Sequence, residues 1–122
     1  MRNYKIIFVT GYASIEDIYN DNIDVNVIFE TGDVYFGTLI TVNNIQTFIS
    51  KGDIYFWCTN MLVVANLNKE TVLKAIEATI ADGYFSCIFD KIGIFGEDQY
   101  RWTSYEKLKD MNDSLDDIEL IP

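Results

Sequence analysis

The clearest local pattern in the sequence is a pair of alternating runs, DVNVIFETGDVYFGTLI, at residues 24–40. Every second residue from position 25 to position 29 is apolar, and another alternating run follows from position 34 to position 38. Such alternation is typical of strands with one buried and one wetter face, so the stretch predicts a β-hairpin. Thr31-Gly32 is a weaker two-residue turn signal than Asn-Gly, because Thr31 resists positive φ. A longer loop with Gly32 in the left-handed region would relieve this and could shift the strand register by one.

Further strands are predicted on both sides of this hairpin. β-Branched and aromatic residues predict strands at residues 4–10, 54–57 and 61–64, and a strand or extended segment at residues 84–89. The polar and acidic residues 12–22 fit two structures. They form either one or two helical turns or a loop that buries Ile15 and Ile18.

Two helices are predicted from apolar periodicity and from capping residues. Thr41 is the expected N-cap of a short helix at residues 42–50. Asn68 is the expected N-cap of a longer helix at residues 69–82, which Gly83 ends. Both assignments depend on local sequence alone.

These elements predict one α+β domain that spans residues 1–122, with an acidic C-terminal segment at residues 110–122. We expect a mainly antiparallel sheet of about five or six strands, because the strands are clustered along the chain, with two or three helices packed on one side. The chain length and the 49% of apolar residues suffice for a genuine core.

The charge of the chain is strongly negative and unevenly placed. There are 19 acidic and 9 basic residues, a net charge of −10. Residues 6–50 hold six acids and no Lys or Arg, and residues 110–122 hold five acids and again no base. Such a surface repels phosphates, so we expect no direct nucleic-acid partner and no membrane partner.

The acidic blocks are either a solvated face that maintains solubility or a surface for a basic partner. Glu30 and Asp33 favour the second interpretation, because they flank the hairpin turn and like charges facing each other destabilise a strand pair. A protein that accepts this cost gains a negative field for a cationic partner.

Aromatic residues are also abundant, with eight Tyr, eight Phe and two Trp. Alternation cannot bury all three rings of residues 55–57 on one face, so some ring should reach the surface beside polar neighbours, unless the rings fill a two-sided core. Tyr100 and Trp102 are alternative anchors. The candidate partner-binding residues are Glu16, Asp17, Asp21, Asp24, Glu30, Asp33, Tyr35, Tyr55 and Trp57.

Catalytic chemistry is poorly represented in the sequence. There is no histidine, so the commonest acid-base residue and metal ligand is missing, and we expect no catalytic residue, metal or cofactor. A small enzyme that uses carboxylates alone stays an alternative. Cys58 and Cys87 lie in apolar stretches and are expected to be buried, reduced thiols in a cytoplasmic protein.

The chain resembles small acidic immunity proteins of bacterial polymorphic toxin systems, including contact-dependent growth inhibition. The residues that carry this resemblance are residues 24–41, Asn44-Ile45, Tyr55-Phe56-Trp57, Met61-Leu62-Val63-Val64, the helix from Leu67, and Gly83-Tyr84-Phe85. Compared with these immunity proteins, the chain lacks a longer insertion between the short helix and Tyr55. The resemblance implies a cytoplasmic antidote that binds a cognate toxin domain, most often a nuclease.

Two classes of function follow from these observations. The first is an immunity protein that captures a basic nuclease domain, a tRNase or DNase, and occludes its active site, because nuclease clefts are cationic. The second is a non-catalytic adaptor or homo-oligomeric interaction domain that uses an edge strand and exposed rings. A homodimer is compatible with both.

Overall fold

A computed structural model describes residues 3–94 of the chain. The acidic segment 110–122 and the alternative anchors Tyr100 and Trp102 lie outside the described residues. The described residues form one α+β unit with a five-stranded sheet. Its strands are β1 (Tyr4–Phe8), β2 (Asn22–Phe29), β3 (Asp33–Thr41), β4 (Met61–Val64) and β5 (Asp90–Ile94).

The sheet is mainly antiparallel, as predicted. β2 pairs with β1 on one side and with β3 on the other, both antiparallel. The far edge of β3 is divided between two strands. β4 pairs with its C-terminal half in parallel, and β5 pairs with its N-terminal half antiparallel. The parallel pair requires a crossover, which the helix between β3 and β4 supplies.

Three helices accompany the sheet: α1 (Val42–Ser50), α2 (Lys69–Ala81) and α3 (Phe85–Ile88). Both predicted N-caps are confirmed. The Thr41 hydroxyl accepts a hydrogen bond from a first-turn amide of α1, and Asn68 does the same for α2. α2 and α3 contribute buried residues to the core, whereas no residue of α1 is fully buried.

Of the two turns that the sequence leaves open, the hairpin has the longer loop. β2 ends at Phe29 and β3 begins at Asp33, so three residues connect the strands. The Gly32 amide donates to the Phe29 carbonyl over 2.9 Å, and Gly32 has a φ of 99°. This places Val25 and Val27 in the main core and Val34 on the other face, where it forms a second buried cluster with Ile7 and Ile28.

Two predicted strands are wrong. Residues 54–57 are an irregular loop, and residues 84–89 contain the short helix α3, after which β5 begins. Phe85 and Phe89 are four residues apart, and their rings stack at 4.5 Å. This is the spacing at which a helical turn brings two side chains together.

Several smaller expectations are also settled. Within residues 12–22, a short 3-10 turn is followed by a loop that ends where β2 begins at Asn22. Ile15 and Ile18 pack against the core, which confirms the loop alternative. Both cysteines are free, but Cys58 is only half-buried and Cys87 is exposed, so the prediction of two buried thiols is wrong. No helix within residues 3–94 has the length and apolarity needed to cross a bilayer.

Candidate interaction surface

Three of the predicted site residues lie in one surface loop, residues 15–21, which we call the acidic loop. Two of its carboxylates organise the loop itself. Asp17 accepts a hydrogen bond from the Tyr19 amide at 2.9 Å. Asp21 accepts from the amide of Glu16 at 3.0 Å and from that of Asn22 at 2.8 Å. The Glu16 carboxylate has no ion pair or hydrogen bond among the described residues, and is exposed to solvent.

The acidic loop is fastened to the first half of α1 by amide side chains. Asn43 donates to the Tyr19 carbonyl at 3.1 Å, and Asn44 donates to the Asn20 side chain at 3.1 Å. Asn22 at the start of β2 donates in turn to Asn44 at 2.8 Å. The loop is therefore held in a defined position beside a helix that carries no charged residue.

The other end of α1 leads into residues 51–60, which we call the aromatic loop. It displays three large apolar side chains, with Ile54 96%, Tyr55 69% and Trp57 67% exposed. Phe56, between the two exposed rings, turns inward and stacks on Phe48 of α1, with ring centroids 5.0 Å apart. Monomeric proteins rarely leave such a group of side chains in water without a use for it.

The end of the aromatic loop is attached to the sheet and to α3 through Asn60. Its carbonyl accepts a hydrogen bond from the Thr38 amide at 2.9 Å, and its side chain donates to the Ile88 carbonyl at 3.0 Å. Asn60 has a φ of 54°, in the left-handed region that asparagine tolerates better than most residues. The C-terminal end of the loop is thus fixed while its tip is exposed.

Three carboxylates lie in the aromatic loop or next to the residues that attach it. Asp24, on β2, accepts a 2.6 Å hydrogen bond from the Thr38 hydroxyl. Burial, and secondarily this Asp24 carboxylate, raises the pKa of the Cys58 thiol. Asp53 belongs to the loop, and Asp90 follows two residues after Ile88, which Asn60 contacts. The one cationic residue of the loop itself is Lys51.

The remaining predicted residues lie at the hairpin end of the sheet, away from these loops. β2 spans eight residues, which separates its two ends by roughly 25 Å. Glu30 is exposed there, but Asp33 forms an ion pair with Lys91 of β5 at 3.0 Å. The hydrogen bond from Lys91 lowers the pKa of Asp33, and the same contact raises the pKa of Lys91.

Tyr35 also lies at this end, in an aromatic cluster that packs against the core. Its ring makes edge contacts with Phe29 at 5.6 Å and with Phe85 at 5.0 Å between centroids. The structure therefore does not bring Tyr35 together with Tyr55 and Trp57. The nine candidates divide into three groups: Glu16, Asp17 and Asp21 in the acidic loop, Tyr55 and Trp57 in the aromatic loop with Asp24 beside it, and Glu30, Asp33 and Tyr35 at the hairpin end.

Sequence reasoning missed two residues of this surface. Asp53 follows the helix-ending Gly52 and directly precedes the exposed residues, so its position was a usable signal. Asp90 carries no local signal, because only the pairing of β5 with β3 places it near the loop. Comparisons with protein-family models, curated proteins and solved structures find no match for this chain.

Proposed function

We propose that this chain is an immunity-type inhibitor. It binds a cognate basic toxin domain, a nuclease that acts on tRNA or DNA, and neutralises it by electrostatic capture and occlusion of the active site. The observation that carries this proposal is the aromatic loop: Ile54, Tyr55 and Trp57 are exposed to water beside the Asp53 carboxylate in a chain of net charge −10. The resemblance to immunity proteins supports the same class of partner.

The physical argument combines steering with anchoring. A nuclease cleft is cationic because its substrate is a polyanion, so a concentrated negative field accelerates encounter by about 10- to 1000-fold at low salt. Exposed aromatic side chains then supply the buried contacts that dominate protein–protein affinity. Neither step requires a reactive group on this chain.

The dimensions of the surface suit one partner. α1 has nine residues and is about 13 Å long, with the acidic loop attached near its start and the aromatic loop at its end. A standard protein–protein interface buries about 800 Å² on each partner, which is roughly 30 Å across. A single toxin domain therefore reaches both loops at once.

The test uses the C-terminal domain of an exported protein encoded beside this chain. That domain is expressed in bacteria with and without the full chain, and growth and the integrity of tRNA and DNA are followed. We expect growth arrest and nucleic-acid cleavage that co-expression abolishes. A domain that remains toxic with this chain in excess, or the lack of any neighbouring toxic domain that it binds, overturns the proposal.

Kinetics of the purified pair test the electrostatic part. We expect the association rate to fall steeply with salt, and to fall further in Glu16→Lys, which reverses an exposed charge of the acidic loop. Glu77→Lys on α2 is the matched control, an exposed glutamate outside the proposed surface. An association rate that is the same at low and high salt contradicts electrostatic capture.

A homo-oligomeric or adaptor domain is the second candidate. Val42 and Ile49 on α1 are 57% and 43% exposed, and Val63 on β4 is 44% exposed. An uncharged apolar surface is suited to self-association. This candidate predicts a stable oligomer without any toxin, which light scattering at micromolar concentration detects.

A further inference from the structure

We infer that the aromatic loop is an arginine-binding site. Tyr55 and Trp57 provide the faces for a guanidinium group of the basic partner, and Asp53, which lines the same pocket as both rings, provides a carboxylate for its N–H donors. This inference rests on the proposed function, because it names the chemical group that the inhibitor's exposed rings receive.

The exposure of these rings is built into the loop. Phe56 is held inward by its stack on Phe48, so its neighbours on either side are left at the surface, 69% and 67% exposed. A ring whose face is open to water is available to a cation, and the ring quadrupole attracts such a charge. The inward position of Phe56 therefore leaves Tyr55 and Trp57 exposed.

The charge around the loop is complementary to a cation. Asp24, Asp53 and Asp90 lie within the loop or beside its attachment points, whereas Lys51 is the one base of the loop. Lys91, the next base along β5, is already paired with Asp33 at 3.0 Å. A cationic side chain that enters here finds the Asp53 carboxylate, which lines the same pocket as the two rings and forms no ion pair among residues 3–94.

Arginine fits this arrangement better than lysine. A guanidinium is planar and weakly hydrated, so it stacks on an aromatic face while its edge donates hydrogen bonds to carboxylates. A lysine ammonium is a compact, strongly hydrated charge that gains less from an aromatic face in water. A site that combines exposed rings with a carboxylate therefore favours arginine, because its guanidinium can stack on a ring and donate hydrogen bonds at the same time.

The loop also loses little freedom on binding. Its C-terminal end is fixed by the two Asn60 hydrogen bonds, at 2.9 and 3.0 Å, and its middle by the Phe48–Phe56 stack. A site that is already ordered avoids much of the entropic cost that weakens binding by flexible loops.

The test measures binding of two fluorescent peptides, nona-arginine and nona-lysine, to the full chain by fluorescence anisotropy. The peptides have equal charge, so the difference between their affinities isolates the contribution of the guanidinium group. We expect wild type to bind nona-arginine more tightly, and Tyr55→Ser or Trp57→Ser each to weaken nona-arginine binding by about two- to fivefold with a smaller effect on nona-lysine. Thermal unfolding should be nearly unchanged, because both rings are exposed.

Tyr84→Ser is the matched control, since Tyr84 is 62% exposed but lies outside the aromatic loop. The inference is overturned if both peptides lose affinity equally, or if the control weakens nona-arginine binding as much as the loop variants do.

The toxin assay separates this inference from the proposed function. If Trp57→Ser binds nona-arginine as tightly as wild type does and also neutralises the toxin, the arginine site is refuted and the inhibitor function stands. If wild type discriminates between the peptides but neutralises no toxin, the arginine site stands and the inhibitor function is refuted.

Discussion

Gly37 of β3 is the position where one added carbon should be most costly. A Cβ there would overlap Cδ2 and Cε2 of Phe89 and lie 3.3 Å from Cγ of the same ring. The ring has no room to move, because Phe89 is 1% exposed and stacks on Phe85 at 4.5 Å. Forcing an extra carbon into such a packed core costs about 1–3 kcal/mol. We therefore expect Gly37→Ala to lower the free energy of unfolding by that amount.

Urea and thermal unfolding measure this loss. Each kcal/mol should lower Tm by about 3–6 °C for a chain of this size. The double variant Gly37→Ala/Phe89→Leu shows whether the ring is the cause, because a smaller side chain makes room for the Cβ. The cost of the alanine should be clearly lower in the Phe89→Leu background. An equal cost in both backgrounds, or a loss below about 0.5 kcal/mol in the single variant, would refute the steric reasoning.

Three other perturbations test the capping, the surface ion pair and the loop support. Asn68→Ala should lower the free energy of unfolding by about 1 kcal/mol in urea melts. Asn68→Ser should retain most of the stability that the N-cap contributes. Because Lys91 lowers the pKa of Asp33, the pair stabilises the fold above the ordinary aspartate range and this contribution is lost as pH falls through the lowered value. Lys91→Met should therefore weaken the acid dependence of stability. Phe48→Ala removes the ring under Phe56 and should speed chymotrypsin cleavage in the aromatic loop, and an unchanged cleavage rate would contradict that support role.

The elements that local sequence specifies were predictable. The hairpin, α1, β4 and α2 depend on alternation, apolar periodicity and the caps at Thr41 and Asn68, all of which act within a few residues. The segment at residues 54–57 has strand-forming residues, but it lies in the connection between α1 and β4 and pairs with no strand. Strand propensity describes a residue's fit to a pleated surface, and here no neighbouring strand provides one.

The candidate site was predictable in its parts but not in its arrangement. The sequence indicates that one of the rings at residues 55–57 reaches the surface, and the structure exposes two of the three. It gives no indication that Tyr35 packs onto Phe85, because that contact depends on where α3 places its first residue. Asp90 joins the surface for a similar reason, through long-range strand pairing that no local pattern encodes.

β2 separates the acidic residues of its two ends, and this separation leads to a prediction about how the association rate depends on salt. The Debye length is about 30 Å at 0.01 M salt but about 8 Å at 0.15 M, and the two ends of β2 are roughly 25 Å apart. At low salt both ends therefore contribute to one steering field, whereas at physiological salt only charges close to the docking surface act. If the toxin docks on the acidic and aromatic loops, Glu16→Lys should slow association at both salt concentrations, and Glu30→Lys should slow it only at low salt. Stopped-flow association rates measure both variants, and a Glu30→Lys effect that persists at 0.15 M would instead place the docking surface at the hairpin end.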